Sequence, residues 1–149
     1  MPDVTPKLLT EIEIGDEIGP VTRTLTLADV QRYAAVTSLT DERFLKTEHA
    51  NQMGFHRPIV PGPLSATLLA KLLTDSFPGW RLRSFQVSFR TPVGHGDTLS
   101  FWGTVTEKGE TGGVAAVHCD VVAENQQGDR VIVGTATLVP RPAARRAVS

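Results

Sequence analysis

The second half of the chain alternates apolar and polar residues with a period of two. Phe85, Val87 and Phe89 interleave with Ser84, Gln86 and Ser88, and Leu99, Phe101, Gly103 and Val105 interleave with Ser100, Trp102 and Thr104. Successive side chains of a strand point to opposite faces, so this period predicts half-buried strands. Strands are expected near 82–90, 98–107, 114–123 and 131–139, separated by a break at 91–97, a hairpin turn at 108–113 and a polar connection at 126–129.

The first half carries the helical period. Thr26-Leu27-Ala28-Asp29 is a capping pattern, and Val30, Tyr33 and Ala34 follow at helical spacing up to Thr37-Ser38. Upstream, Glu11–Asp16 reads as a short strand and turn, and 21–26 as extended chain. Residues 38–46 are irregular and polar, and a short helix from Thr47 stops at Gly54. The longest helix is expected from about Pro63 to Phe77, with Leu64, Leu68, Leu69 and Leu72 as its apolar stripe and Lys71 and Asp75 facing out. An antiparallel meander must cover its inner face, and this helix alone is long and apolar enough to do so. The fold class expected is therefore α+β, an antiparallel sheet wrapped around one long central helix, which is the hot-dog arrangement.

The chain leading into that helix, Arg57-Pro58-Ile59-Val60-Pro61-Gly62-Pro63, is a rigid turn. Gly62 permits close approach of a ligand, and Pro63 suits the first helical turn, where its missing N–H costs nothing. A helix N-terminus with free N–H groups favours developing negative charge, so Gly62 is the candidate oxyanion-binding backbone. A loop that merely caps a core helix would have the same composition.

Length and composition narrow the function classes. The 149 residues fit one domain, expected over 1–140, with a short basic tail, 141–149, expected to be disordered. Fifteen Lys and Arg against 16 Asp and Glu give a formal net charge of −1, which offers no electrostatic case for nucleic acid. The single cysteine, Cys119, excludes an intramolecular disulfide, and its place among Ala115, Val117 and Val121 predicts a buried structural thiol. There is no metal-ligand spacing, no nucleotide-type phosphate loop and no apolar run of membrane-spanning length. A cytoplasmic protein is expected.

From about Ile14 to Val139 the chain resembles the MaoC-like hot-dog family of (R)-specific enoyl-CoA hydratases and 3-hydroxyacyl dehydratases. The resemblance rests on Gly54-Phe55-His56-Arg57-Pro58-Ile59-Val60-Pro61-Gly62, on Phe89-Arg90-Thr91-Pro92-Val93 followed by Gly96-Asp97-Thr98-Leu99, and on Gly134-Thr135-Ala136-Thr137. It implies an acyl thioester carried on coenzyme A or on the phosphopantetheine of an acyl carrier protein, no resident cofactor or metal, and a dimer. That dimer would be homomeric or would join another hot-dog protein, and it would close the sheet edge.

The family's catalytic stretch, Ser-Gly-Asp-x-Asn-Pro-x-His, is not reproduced. Counting back from Pro58 without gaps puts Leu39 on the catalytic Asp and Phe44 on the catalytic His, and Pro61 replaces the usual His before the helix glycine. The related carrier-protein dehydratases of fatty-acid synthesis share Arg-Pro-Ile-x-Pro-Gly, but their catalytic His and Glu would fall on Met53 and Thr67. What carries over is the Gly62 N–H as the thioester-carbonyl donor. Degenerate halves and accessory subunits of such enzymes often have an aromatic in place of the His and a Pro after Ile-Val, as Phe44 and Pro61 are here.

Proton transfer would then need other residues. Asp41 and His56 flank the positions that carry chemistry in the relatives and are the candidate catalytic residues. A solvated turn aspartate and a surface-loop histidine would look the same. Arg57 and Arg90 are candidate partners for a carrier phosphate. His49 is expected at the surface, and His95 and His118 have no partner legible in the sequence. The function expected is acyl-thioester processing of the dehydratase/hydratase class, a hydro-lyase with a non-standard site. The alternatives are a non-catalytic acyl-binding partner subunit of a heteromeric dehydratase, and a rewired cyclase or isomerase of polyketide-type biosynthesis.

Overall fold

The computed structural model describes residues 5–38, 44–55 and 57–142, without the side chains of His49 and Thr111. Five strands form one antiparallel sheet: β1 (Glu17–Thr24), β2 (Trp80–Phe89), β3 (Thr98–Thr111), β4 (Val114–Glu124) and β5 (Arg130–Pro140), in the order β1-β3-β4-β5-β2. Three α-helices precede β2: α1 (Leu27–Thr37), α2 (Thr47–Gln52) and α3 (Gly62–Ser76). The sheet curls around α3, which packs against β1, β2, β3 and β4. This is the expected hot-dog arrangement.

The core lies between α3 and the concave face of the sheet. Leu69, Leu72 and Leu73 of α3 are buried against Leu99, Phe101 and Val105 of β3, Val117, Cys119 and Val121 of β4, and Ile132 and Leu138 of β5. The period-two pattern of β3, β4 and β5 therefore marks true inner and outer faces. Cys119 is buried as expected, and burial, reinforced by the Asp120 charge, pushes its thiol up to about 12. It stays protonated at neutral pH and behaves as a small apolar core residue.

Three boundaries differ from the sequence reading. Glu11–Asp16 holds the expected turn, at Ile14–Gly15, but no strand; Glu11 instead ends a 3₁₀ turn (Leu9–Glu11). Ile12 is fully buried while Ile14 is 62% exposed, so the two isoleucines share no face. The Asp16 carboxylate accepts from the Glu13 N–H at 2.9 Å, and Gly15, at φ +96°, completes the bend. The real first strand starts at Glu17, and its pattern is broken by a register shift between Ile18 and Val21. Lys108–Thr111 is strand, paired with Val114–Val117, and the hairpin turns on Gly112 and Gly113 alone, at φ +61° and +79°. A shift between Val105 and Glu107 hides this extension from the alternation. Finally, β2 starts two residues earlier than expected, because Trp80 belongs to the core and its indole N–H donates to the Lys7 carbonyl at 2.6 Å.

Helix α1 is set by its predicted cap. The Thr26 hydroxyl accepts from the Asp29 N–H at 3.3 Å, and the Asp29 carboxylate accepts from the Thr26 N–H at 2.9 Å and from Arg23 at 2.8 Å. The Thr26 backbone bond, then Arg23, hold the Asp29 carboxyl below its ordinary value against an opposing cost of burial. Such a group stabilises the fold above its unfolded pKa, and the contribution is lost as the pH falls through the lower folded value. Asp29→Ala should cost about 1 kcal/mol at pH 7, the usual worth of a cap. The deficit should shrink on acidification, as measured by urea unfolding at pH 7 and below pH 4; a deficit independent of pH would contradict this account.

Candidate functional site

The Pro/Gly turn before α3 is fastened to the loop between β2 and β3. The Val60 N–H donates to the Val93 carbonyl at 2.7 Å, and the His95 N–H donates to the Pro58 carbonyl at 2.9 Å. Asp97 closes the arrangement from below. Its buried carboxylate ion-pairs with Arg57, accepts from the Gly94 N–H at 2.8 Å and accepts from the Gln126 amide at 2.9 Å. The Gly-Asp motif of this loop thus anchors the turn that positions the start of α3.

Between these two segments lies a mostly apolar cavity of about 320 Å³. Phe44, Ile59, Val60, Phe89 and Pro92 form its walls, Val131 and Ile132 come from the start of β5, and Gly62 and Ser65 line it from the first turn of α3. A shallower polar groove, lined by Phe55, Arg57, Asn125, Gln126 and Asp129, adjoins it and shares Ile59, Thr91 and Pro92. An apolar end and a polar approach therefore run together.

Gly62 is the first residue of α3, with Pro61 as an N-cap that offers no side-chain hydrogen bond. The Leu64 N–H is turned back onto the Pro61 carbonyl at 3.0 Å, and Pro63 has no N–H. Among the described residues the Gly62 N–H has no carbonyl partner, at the positive end of a 15-residue helix. A side chain there would press on the Phe89 ring, which would have to shift. A Cβ on Gly62 would lie 2.8 Å from the Phe89 ring, which is itself 54% exposed at the cavity.

The other expected site residues are distributed as follows. Arg90 lines the cavity, is exposed, and has no ion-pair partner among the described residues. Arg57 lies in the polar groove, but the chain's own Asp97 holds its guanidinium, which also donates to the His95 carbonyl at 2.7 Å. Asp41, His56 and Leu39 lie outside the described residues, as do residues 143–149 of the expected tail. Phe44, which the resemblance sets against the family's catalytic histidine, is at the cavity wall. Among the cavity residues described, Arg90 alone has an ionisable side chain. No group of three or more metal-ligating side chains exists among the described residues, and none of their helices is long and apolar enough to cross a membrane.

Sequence reasoning missed two polar groups here. Ser65 is 1% exposed and its hydroxyl has no hydrogen-bond partner among the described residues. The available signal was its place three residues after Gly62 and four before Leu69, a polar residue on the buried face of α3. His95 stands behind the cavity. Burial pushes its pKa below the ordinary value, with the backbone of Phe44 and Ile59 drawing it partly back up, and its Nε2 is buried without a partner. It is a neutral support for the Phe44 and Ile59 segments and does not line the cavity. His118, the other unassigned histidine, bonds Thr137 at 3.0 Å across β4 and β5.

Comparison with known proteins fits this geometry. The MaoC like domain matches residues 10–127, well over half of the chain. The chain belongs to the MaoC-like domain family. It is 29% identical over 90 residues to the mitochondrial 3-hydroxyacyl-[acyl-carrier-protein] dehydratase of Arabidopsis thaliana. That match takes in 60% of this chain and about half, 54%, of the length of that curated relative. The (R)-hydratase from A. caviae involved in PHA biosynthesis superimposes with a TM-score of 0.81 at 25% identity, over 87% of this chain and 98% of that one. A chain of the ChsH1–ChsH2 complex from Mycobacterium tuberculosis shares the fold, with a TM-score of 0.76 at 20% identity over 87% of this chain and 98% of that one.

Proposed function

We propose that this MaoC-like chain binds an acyl thioester, with the thioester carbonyl oxygen on the Gly62 N–H and the acyl chain in the cavity. The observation that carries this reading is the coincidence of the Gly62 N–H, which has no carbonyl partner among the described residues, with the apolar cavity at the start of α3. Negative charge developing on the carbonyl oxygen meets an oriented donor and the positive end of a helix in a water-poor site, where such help is strongest. The polar groove next to the cavity fits the amide-bearing pantetheine arm of coenzyme A or of a carrier protein. Arg90, with no carboxylate partner among the described residues, is the better partner for the carrier's phosphate, and Arg57 contributes through its exposed half. Chemistry of this kind needs no resident cofactor, and a cytoplasmic setting suits the free thiol of Cys119.

Hydration or dehydration also needs a base and an acid at the second and third acyl carbons. We assign these roles to Asp41 and His56, which flank the cavity segments in sequence. On the acyl thioester the protein turns over, Asp41→Asn and His56→Ala should each lower kcat at least ~10²-fold, the lower end for lost acid–base help. Thermal midpoints should stay nearly constant. Full activity in both variants would remove them from the mechanism.

Phe44 supports a second reading. An aromatic wall where relatives place a histidine, in a cavity whose described lining has only Arg90 as an ionisable side chain, suits a subunit that holds the acyl chain for a dyad-bearing partner. The sheet ends in β1 and β2, and either open edge suits a second copy or another hot-dog protein. In that case activity should appear on mixing with the partner and disappear with the partner's dyad.

A further inference from the structure

Ser65 presents a chemical contradiction. Its hydroxyl is a buried polar group in a mostly apolar lining, and it has no hydrogen-bond partner among the described residues. A buried hydroxyl without a partner is costly compared with a methyl group of similar size, so its presence needs a reason. Helix geometry would allow it to bond back to a carbonyl one turn earlier, as Thr67 does to Pro63 at 2.8 Å on the same helix. Ser65 does not, and it lines the cavity.

Its position relative to Gly62 gives the reason. Residues three apart on a helix lie on the same face, roughly 5–6 Å from each other. A carbonyl oxygen held by the Gly62 N–H therefore places the next few acyl carbons beside Ser65. The rest of the described lining is largely carbon, from Val60, Phe89, Val131 and Ile132 among others, with Arg90 and Thr91 as its other polar side chains. We propose that Ser65 is a specificity-determining residue whose hydroxyl hydrogen-bonds an oxygen on the third carbon of the bound acyl chain, so that the site prefers 3-hydroxy- or 3-oxoacyl thioesters over plain saturated ones.

This inference rests on the acyl-thioester reading above and deepens it. The hydroxyl can donate to a 3-oxo group and can both donate to and accept from a 3-hydroxyl, so both ligands satisfy it. A saturated chain leaves it unpaired, as it is without ligand. The discrimination is one neutral hydrogen bond, worth ~3–10-fold in affinity.

Isothermal titration calorimetry of the full chain with butyryl-CoA, acetoacetyl-CoA and (R)-3-hydroxybutyryl-CoA tests it. Butyryl-CoA and acetoacetyl-CoA undergo neither hydration nor dehydration, so their affinities are free of turnover. The wild type should bind the two 3-oxygenated thioesters ~3–10-fold more tightly than butyryl-CoA. Ser65→Ala should abolish that ratio while keeping its affinity for butyryl-CoA within about twofold. Its melting temperature should be equal or higher, because an unpaired buried hydroxyl has been removed. A merely structural serine would shift all three affinities together and leave the ratio intact, which would overturn the inference. Equal binding of the three ligands by the wild type would also overturn it while leaving the acyl-thioester site standing. Binding of none of them would overturn both.

Discussion

The purified chain alone is expected to hydrate crotonyl-CoA at least ~10²-fold more slowly than a MaoC-like relative that carries the Asp/His dyad. Adding water across the double bond needs a base to take a proton from water and an acid to protonate the second carbon. The Gly62 N–H polarises the thioester carbonyl but moves no proton. Phe44 lines the cavity where the resemblance places the histidine, and a phenyl ring neither takes nor gives one. His95 is not among the residues lining the cavity, and its partial burial favours the neutral ring. Cys119 is fixed as a thiol in the core. The proton-transfer groups proposed for the site are thus Asp41 and His56, neither of which belongs to α3 in sequence. A side-by-side assay that follows loss of the enoyl thioester's ultraviolet absorbance measures the ratio. Comparable turnover would show that a full acid–base pair is rebuilt within this chain and would set aside the partner-subunit reading.

The parts of this site legible in the sequence are those fixed by backbone chemistry. Pro63 after Gly62 announces a helix start, and a helix start announces a free N–H; α3 starts at Gly62, whose N–H has no carbonyl partner among the described residues. The sheet was legible wherever alternation followed one buried face, as along Leu99, Phe101 and Val105. It failed where the ladder slips, at Ile18 to Val21 and at Val105 to Glu107, because a one-residue shift reverses which side chains are buried. Arg57 shows another limit. Its charge is visible in the sequence, but its partner Asp97 is 40 residues away, and nothing local reveals that the guanidinium is already engaged. Ser65 was hidden for the opposite reason. A serine inside a leucine-rich helix reads as an ordinary small residue until its burial and its missing partner are known.

Leu69→Ala is expected to destabilise the fold by ~2–5 kcal/mol, the largest effect on stability predicted for this chain. Leu69 is 0% exposed near the middle of α3, on the stripe that the sheet wraps. Removing its three outer carbons forfeits their burial and leaves a hole, because the strands around α3 are tied to one another by a continuous ladder and cannot close in. Helix propensity works slightly the other way, since alanine is the better helix former, but only by tenths of a kcal/mol. At this chain length the loss corresponds to a fall in Tm of roughly 5–20 °C. Lys71→Ala, two residues on, is the control. Lys71 pairs with Asp75 at 2.6 Å on the exposed face of the same helix, with both side chains largely in solvent. Such a pair is worth ~0.3–0.5 kcal/mol, so the variant should melt within a degree or two of the wild type. Because Leu69 does not line the cavity, the Leu69→Ala protein should still bind butyryl-CoA at temperatures where it remains folded. If both variants lost the same small amount of stability, α3 would not be the element on which the sheet closes.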